Sequence, residues 1–136
     1  MSISKKSLGN TPLTPYQEAH RYIKNAKETL STKAGKKDGE YADIKYVKTA
    51  AGTAYVGVLY AIDEYLKRKE GIKFNKPASI EEYRTRLAKQ NKKLMALLNV
   101  AYAELHLACY YHGVPSVTVM KNGLETANQI IEYIVD

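Results

Sequence analysis

One domain is what 136 residues hold, and a chain of this length buries about two-thirds of its unfolded surface without metals or cross-links. A single cysteine excludes an internal disulfide, and the uncharged runs, Thr49 to Ile62 among them, fall short of the roughly twenty apolar residues of a membrane span. The formal net charge of +7 is compatible with an acidic partner and equally with plain solubility.

The opening stretch, MSISKKSLGNTPLTP, carries lysines with no apolar run of about seven residues behind them, so it lacks the pattern of a secretory signal. Residues 1–13 read as a flexible tail, and residues 14–136 as one helical-bundle domain. Cys109 falls in an apolar helical stretch that suits a small buried thiol, and with the missing signal it predicts a cytoplasmic protein with no membrane contact.

Thr14 is a good N-cap, with Pro15 at the first helical position and Gln17 where a capping box requires it. The helix it opens has the seam Tyr16, Ala19, Ile23, Ala26 and Leu30. GKKDG, between Gly35 and Gly39, is a turn, after which Asp38 or a near neighbour caps a second helix running to about Lys69. Its seam is Ile44, Val47, Ala51, Ala54, Val58, Ala61 and Tyr65, spaced by three and four without a break. Three alanines in that seam, with Gly52 and Gly57 beside it, allow a neighbouring helix to approach closely. GIKFNKPA reads as a loop, and Ser79 with Glu82 forms a second capping box. One long third helix follows, with Ile80, Tyr83, Leu87, Leu94, Leu98, Ala101, Leu105 and Ala108 on one face, ending near His112 and Gly113. The fourth seam, Val117, Met120, Leu124, Ala127, Ile131 and Ile134, starts near Ser116; Val117 to Met120 alone also fits a short strand without a partner.

Four amphipathic helices on short loops predict an all-α, antiparallel, up-down four-helix bundle with two long central helices and two shorter outer ones. Both short helices cover the same end of the long hairpin, so the other end is expected to protrude. Between Glu64 and Lys93 that end carries ten basic residues against four acidic ones, most of the net charge. Lys67, Arg68, Lys69, Arg84, Arg86, Lys89, Lys92 and Lys93 are the core of this basic tip. With Tyr65, Phe74 and Tyr83 nearby, it is a candidate for holding phosphates and stacking bases. The plainer alternative is a solvated surface, since arginine is scarce and no nucleic-acid-binding motif accompanies the lysines. Leu66, Tyr83 and Leu87 are expected to lack cover there, which favours a symmetric dimer.

Twelve tyrosines against one phenylalanine suit the boundary of a thin bundle. On the third helix, Asn99, Tyr102, His106 and Tyr110 line one stripe off the main seam, a pattern that serves a small polar ligand or a proton relay, or else hydrogen bonds to a neighbouring helix. His106 and His112 fall about 120 degrees apart around a helix and make poor metal co-ligands. Known enzymatic signatures are not met. Neither Glu18 nor Glu104 is followed three residues on by histidine, as a di-iron bundle requires; GTAYVG lacks the lysine of a phosphate loop; and Cys109 has no assigned base. No catalytic residue, metal or cofactor is assigned.

KYVKTAAGTAYVGVLYAIDEYL, then SIEEYRTRLAKQNKKL and AYAELHLACYYHG, resembles an uncharacterised family of short all-helical bacterial proteins, mainly from Bacteroidetes, a domain of unknown function spanning Tyr16 to Asp136. That resemblance implies a helical fold and no particular activity. More distantly, the small-residue helix with Ala54 and Tyr55 is similar to the HEPN superfamily. Its ribonuclease members carry an arginine followed four to six residues on by histidine; Arg84 and Arg86 have no such histidine, although Asn91 lies five residues after Arg86. The likeness therefore implies a binding scaffold without a catalytic centre. The expected function is a non-enzymatic bundle acting through protein contacts or its own dimerisation, with nucleic-acid or nucleotide binding at the basic tip as the alternative.

Overall fold

The structure is a computed structural model that describes residues 12–135. All but two residues of the expected tail lie outside that range. Among the described residues there are five α-helices and one small hairpin: α1 (Pro15–Thr29), β1 (Lys36–Lys37), β2 (Glu40–Tyr41), α2 (Ile44–Glu70), α3 (Ile80–Gln90), α4 (Lys92–Ala101) and α5 (Val117–Ile134). Two of the helices widen into π-helical turns at their C-terminal ends, α1 over Leu30–Ala34 and α4 over Tyr102–Tyr111. No helix among the described residues is long and apolar enough to cross a membrane.

The helix starts follow their capping residues. At Thr14 both halves of the capping box form: the Gln17 amide donates to Thr14 Oγ1 at 3.1 Å, and the Thr14 amide donates to Gln17 Oε1 at 2.9 Å. Ser79 and Ser116 accept from the Glu82 and Val119 amides, but the reciprocal half of the box expected at Ser79 is not made, because the Glu82 carboxylate accepts from the Ala78 amide at 3.0 Å instead. Val117–Met120 is thus the first turn of α5. The cap of α2 is Asp43, which accepts from the Lys45 amide. Asp38, the residue named from sequence together with its near neighbours, is instead in the left-handed region at φ 57° with Gly39 at φ 80°. Together they form the two-residue turn that pairs Lys36 with Tyr41 and Lys37 with Glu40. The Tyr41 amide then donates to the Pro115 carbonyl at 2.9 Å, tying the hairpin to the start of α5.

Helix α2 is the post of the molecule, touching α1, the π-helical end of α4, and α5. Every seam residue from Val47 to Tyr65 is buried, and so are Ala50, Tyr55, Gly57, Ile62 and Leu66, because neighbours on several sides cover more than one stripe. Close approach is visible at Gly57, where a Cβ would lie 2.8 Å from Tyr22 Cβ and 3.1 Å from the Ala19 carbonyl oxygen of α1.

The expected single third helix is two helices. Asn91 has φ −163° and ψ 91°, an extended conformation; its carboxamide oxygen caps α4 by accepting from the Leu94 amide at 3.0 Å. The chain reverses there. Arg84 of α3 meets Asn99 and Tyr102 of α4, so those helices run antiparallel. Tyr83 meets Asp63, while Arg86 and Gln90 meet Glu70, so α3 lies along α2 in the same direction. Among the described residues the expected two-helix hairpin with a long third helix is therefore not formed. Leu66 and Leu87 are fully buried and Tyr83 nearly so, contrary to the expected uncovered patch.

Candidate functional site

The stripe nominated on the third helix falls largely in the π-helical stretch. A turn with i→i+5 hydrogen bonds takes more than four residues, so side chains four apart come close to eclipsing and their rings stack. His106 lies between Tyr102, at 5.1 Å between ring centres and 21° between planes, and Tyr110, at 5.6 Å and 24°. Tyr55 of α2 closes on His106 from the side at 5.0 Å. The column continues upward through the Arg84 guanidinium, 5.1 Å from the Tyr102 ring centre, as a cation over a π face. Arg84 Nε donates to Asn99 Oδ1 at 2.7 Å, and Nη1 donates to Glu81 at 2.7 Å. All four stripe residues therefore belong to one constellation, with Asn99 serving as the anchor for Arg84.

Below the column a cleft of about 460 Å³ opens between His106, Tyr110 and the exposed side of α2. Gly52 sets its width, since a Cβ there would stand 3.1 Å from Tyr110 Cδ1. Thr49 and Thr53 line it, each donating its hydroxyl to a carbonyl of its own helix, Lys45 at 3.0 Å and Thr49 at 2.9 Å. Their oxygens retain lone pairs for a guest. Lys48 stands at the rim and Tyr55 forms the floor. Burial, reinforced by Tyr102, pushes the Tyr55 phenol up to about 12, so it stays a neutral hydroxyl. The arrangement offers ring faces, hydroxyls and one ammonium, with no nucleophile paired to a base.

The residues nominated as a basic tip are divided by the fold. Arg86 grips Glu70 through two nitrogens, at 2.7 and 3.2 Å, and Glu82 at 3.0 Å. Arg84 belongs to the tyrosine column. Arg68 sits over the Tyr16 and Tyr65 rings and donates to the Ile134 carbonyl, joining α1, α2 and α5. Lys67 pairs with Glu64 at 3.0 Å. Lys69, Lys89, Lys92 and Lys93 are exposed and form no ion pair among the described residues, although Lys93 covers the Tyr133 ring at 4.7 Å. Asn91, five residues after Arg86, is a helix cap.

Asp63 and Glu104 were not nominated as site residues from the sequence. Asp63 is only 9% exposed and accepts a 2.7 Å hydrogen bond from the Tyr83 hydroxyl; its signal was a lone carboxylate within the apolar run of α2. Glu104, whose Oε1 has no hydrogen-bond partner among the described residues, is held above the usual carboxylate range by burial. Cys109 is fully buried, its thiol pushed up to about 11 by burial and then by Glu104.

A family profile described as a domain of unknown function, DUF5618, matches residues 14–136, and the chain belongs to that family. A solved structure described as a protein of unknown function from Dyadobacter fermentans is similar over 88% of this chain and 92% of its own, with 40% sequence identity and a TM-score of 0.77. No curated protein matches the chain significantly.

Proposed function

We propose that this DUF5618 member is a non-enzymatic binding protein whose contact surface is the aromatic cleft beside His106, taking a small planar molecule that bears an anionic or polar group. The observation that carries the reading is the His106 ring, stacked in the column of Tyr102 and Tyr110 beside an open cleft. A planar guest stacks against Tyr110 and presents its polar edge to Thr49, Thr53 and Lys48. The scaffold is, in this reading, an up-down arrangement of α1, α2, α4 and α5 with α3 laid outside it.

Titration with aromatic carboxylates and nucleoside monophosphates, followed by the His106 ring resonances, tests this. Saturable shifts are expected, weakened about tenfold or more by Tyr110→Ala, which removes a stacking face of about 1–3 kcal/mol. Shifts that do not saturate, or that survive Tyr110→Ala and Gly52→Val together, overturn the reading.

Contact with a protein partner or a second copy is the second reading, favoured by exposed Val56 and Tyr110 on the cleft and by exposed Leu107 and Tyr111 on the same π-helical stretch as Tyr110. Light scattering at high concentration tests the self-association part, and a strict monomer counts against it. Nucleic acid at the tip rests on Lys89, Lys92 and Lys93, which form no ion pair among the described residues. Single-stranded RNA affinity that is absent at low salt, or unchanged when all three are reversed to glutamate, removes it.

A further inference from the structure

We propose that a second cleft, between α2 and the connection leading to α3, is a binding site for a small organic ammonium such as an arylalkylamine. This cleft, about 500 Å³, shares Tyr22 and Val56 with the His106 cleft but is otherwise separate. Its lining combines the rings of Tyr22, Tyr60 and Phe74 with two adjacent carboxylates, Asp63 and Glu64. Aromatic faces around a carboxylate are the chemistry that recognises an ammonium attached to an apolar body.

Asp63 is the centre of the site. Largely buried, with its side chain 12% exposed, it has Oδ1 held by the Tyr83 hydroxyl at 2.7 Å, while Oδ2 has only Lys76 Nζ at 3.9 Å, the loose limit of an ion pair. The Lys76 side chain is 73% exposed, so that pair contributes little and is readily exchanged. Burial holds the Asp63 carboxyl above the usual carboxylate range, and a cation seated against Oδ2 offsets that cost. The chain's own ammonium groups already occupy the positions a guest would take: Lys76 faces Asp63, and Lys67 lies 5.8 Å from the Phe74 ring centre while paired with Glu64. The cleft thus carries resident cations on flexible arms, and a ligand ammonium with an apolar body gains ring contact that the arm of Lys76 does not provide.

Phe74 is the sole phenylalanine in the chain, which gives the site a unique reporter. Phenethylammonium is titrated into the full chain while the Phe74 ring resonances are followed, with neutral 2-phenylethanol as the isostere. The expected result is saturable binding of the ammonium, at least tenfold weaker binding of the alcohol, a loss of tenfold or more in Asp63→Asn, and tightening of a few fold in Lys76→Gln. Asparagine keeps an oxygen for the Tyr83 hydroxyl, and circular dichroism checks that the variant folds. Equal binding of the alcohol, an unchanged affinity in Asp63→Asn, or no saturable shift in both the parent chain and Lys76→Gln overturns the proposal. Tyr110→Ala is expected to leave the titration unchanged, which separates this site from the reading built on His106.

Discussion

At the scale of single residues, what decides behaviour is where a polar atom ends up once the helices have packed. His106, Tyr102 and Tyr110 were legible because three- and four-residue spacing puts them on one stripe; that they stack was not, since stacking follows from the π-helical widening. Glu104 shows the limit more sharply. Its position on the helix was known, but the burial of its Oε1 without a hydrogen-bond partner among the described residues goes with the close approach of α5, where a Cβ at Gly123 would lie 3.5 Å from Glu104 Cβ. A carboxyl group whose folded value is raised binds its proton more tightly in the folded chain. Its favourable contribution is therefore present below the ordinary carboxylate range and is lost as pH rises through the folded value. Glu104→Gln is accordingly expected to raise the melting temperature at pH 7 by roughly 2–5 °C. That gain should shrink as the pH falls through and below the ordinary carboxylate range, where the parent residue becomes neutral as well. A gain independent of pH would show that the effect is packing rather than charge.

Helix boundaries were legible wherever a cap spoke for itself, as at Thr14, Ser79 and Ser116. The break at Asn91 escaped for a physical reason. Leu87 and Leu94 stand seven apart, a spacing that continues a helical seam across the interruption, and both are fully buried in the folded chain. Periodicity alone cannot tell a straight helix from two helices that each bury one leucine. What makes the break is the Asn91 side chain. Its oxygen caps α4 and accepts from the Tyr133 hydroxyl at 3.3 Å, and its nitrogen donates to the Tyr65 hydroxyl at 3.1 Å. One residue thereby joins α2, α4 and α5. Asn91→Ala is expected to cost about 1–2 kcal/mol in urea unfolding, the range for a lost N-cap. Asn91→Asp, which keeps the cap and loses only the donation to Tyr65, should cost less. Equal losses in the two variants would show that the cap is not the dominant contribution.

Across the whole molecule, stability is unevenly distributed, and the unevenness follows from how much each helix buries. Helix α2 buries residues along its length, whereas α3 buries only Tyr83 and Leu87 and is otherwise held by polar contacts, chiefly Arg86 with Glu70 and Tyr83 with Asp63. The sequence showed the charges of α3 but not that they would be spent on docking, because their partners lie sixteen to twenty residues away and meet only after the connection over residues 71–79 lays α3 along α2. A helix attached in this way opens before the rest. Tyr83→Phe removes the one strong hydrogen bond to a buried carboxylate and leaves Asp63 with the loose Lys76 contact, at a cost of about 1–3 kcal/mol. That loss belongs to the docking of α3 more than to the post it docks on. In native-state hydrogen exchange, Tyr83→Phe should speed the α3 amides several-fold more than those in the middle of α2. Uniform acceleration in both helices would mean that α3 and α2 open as one unit.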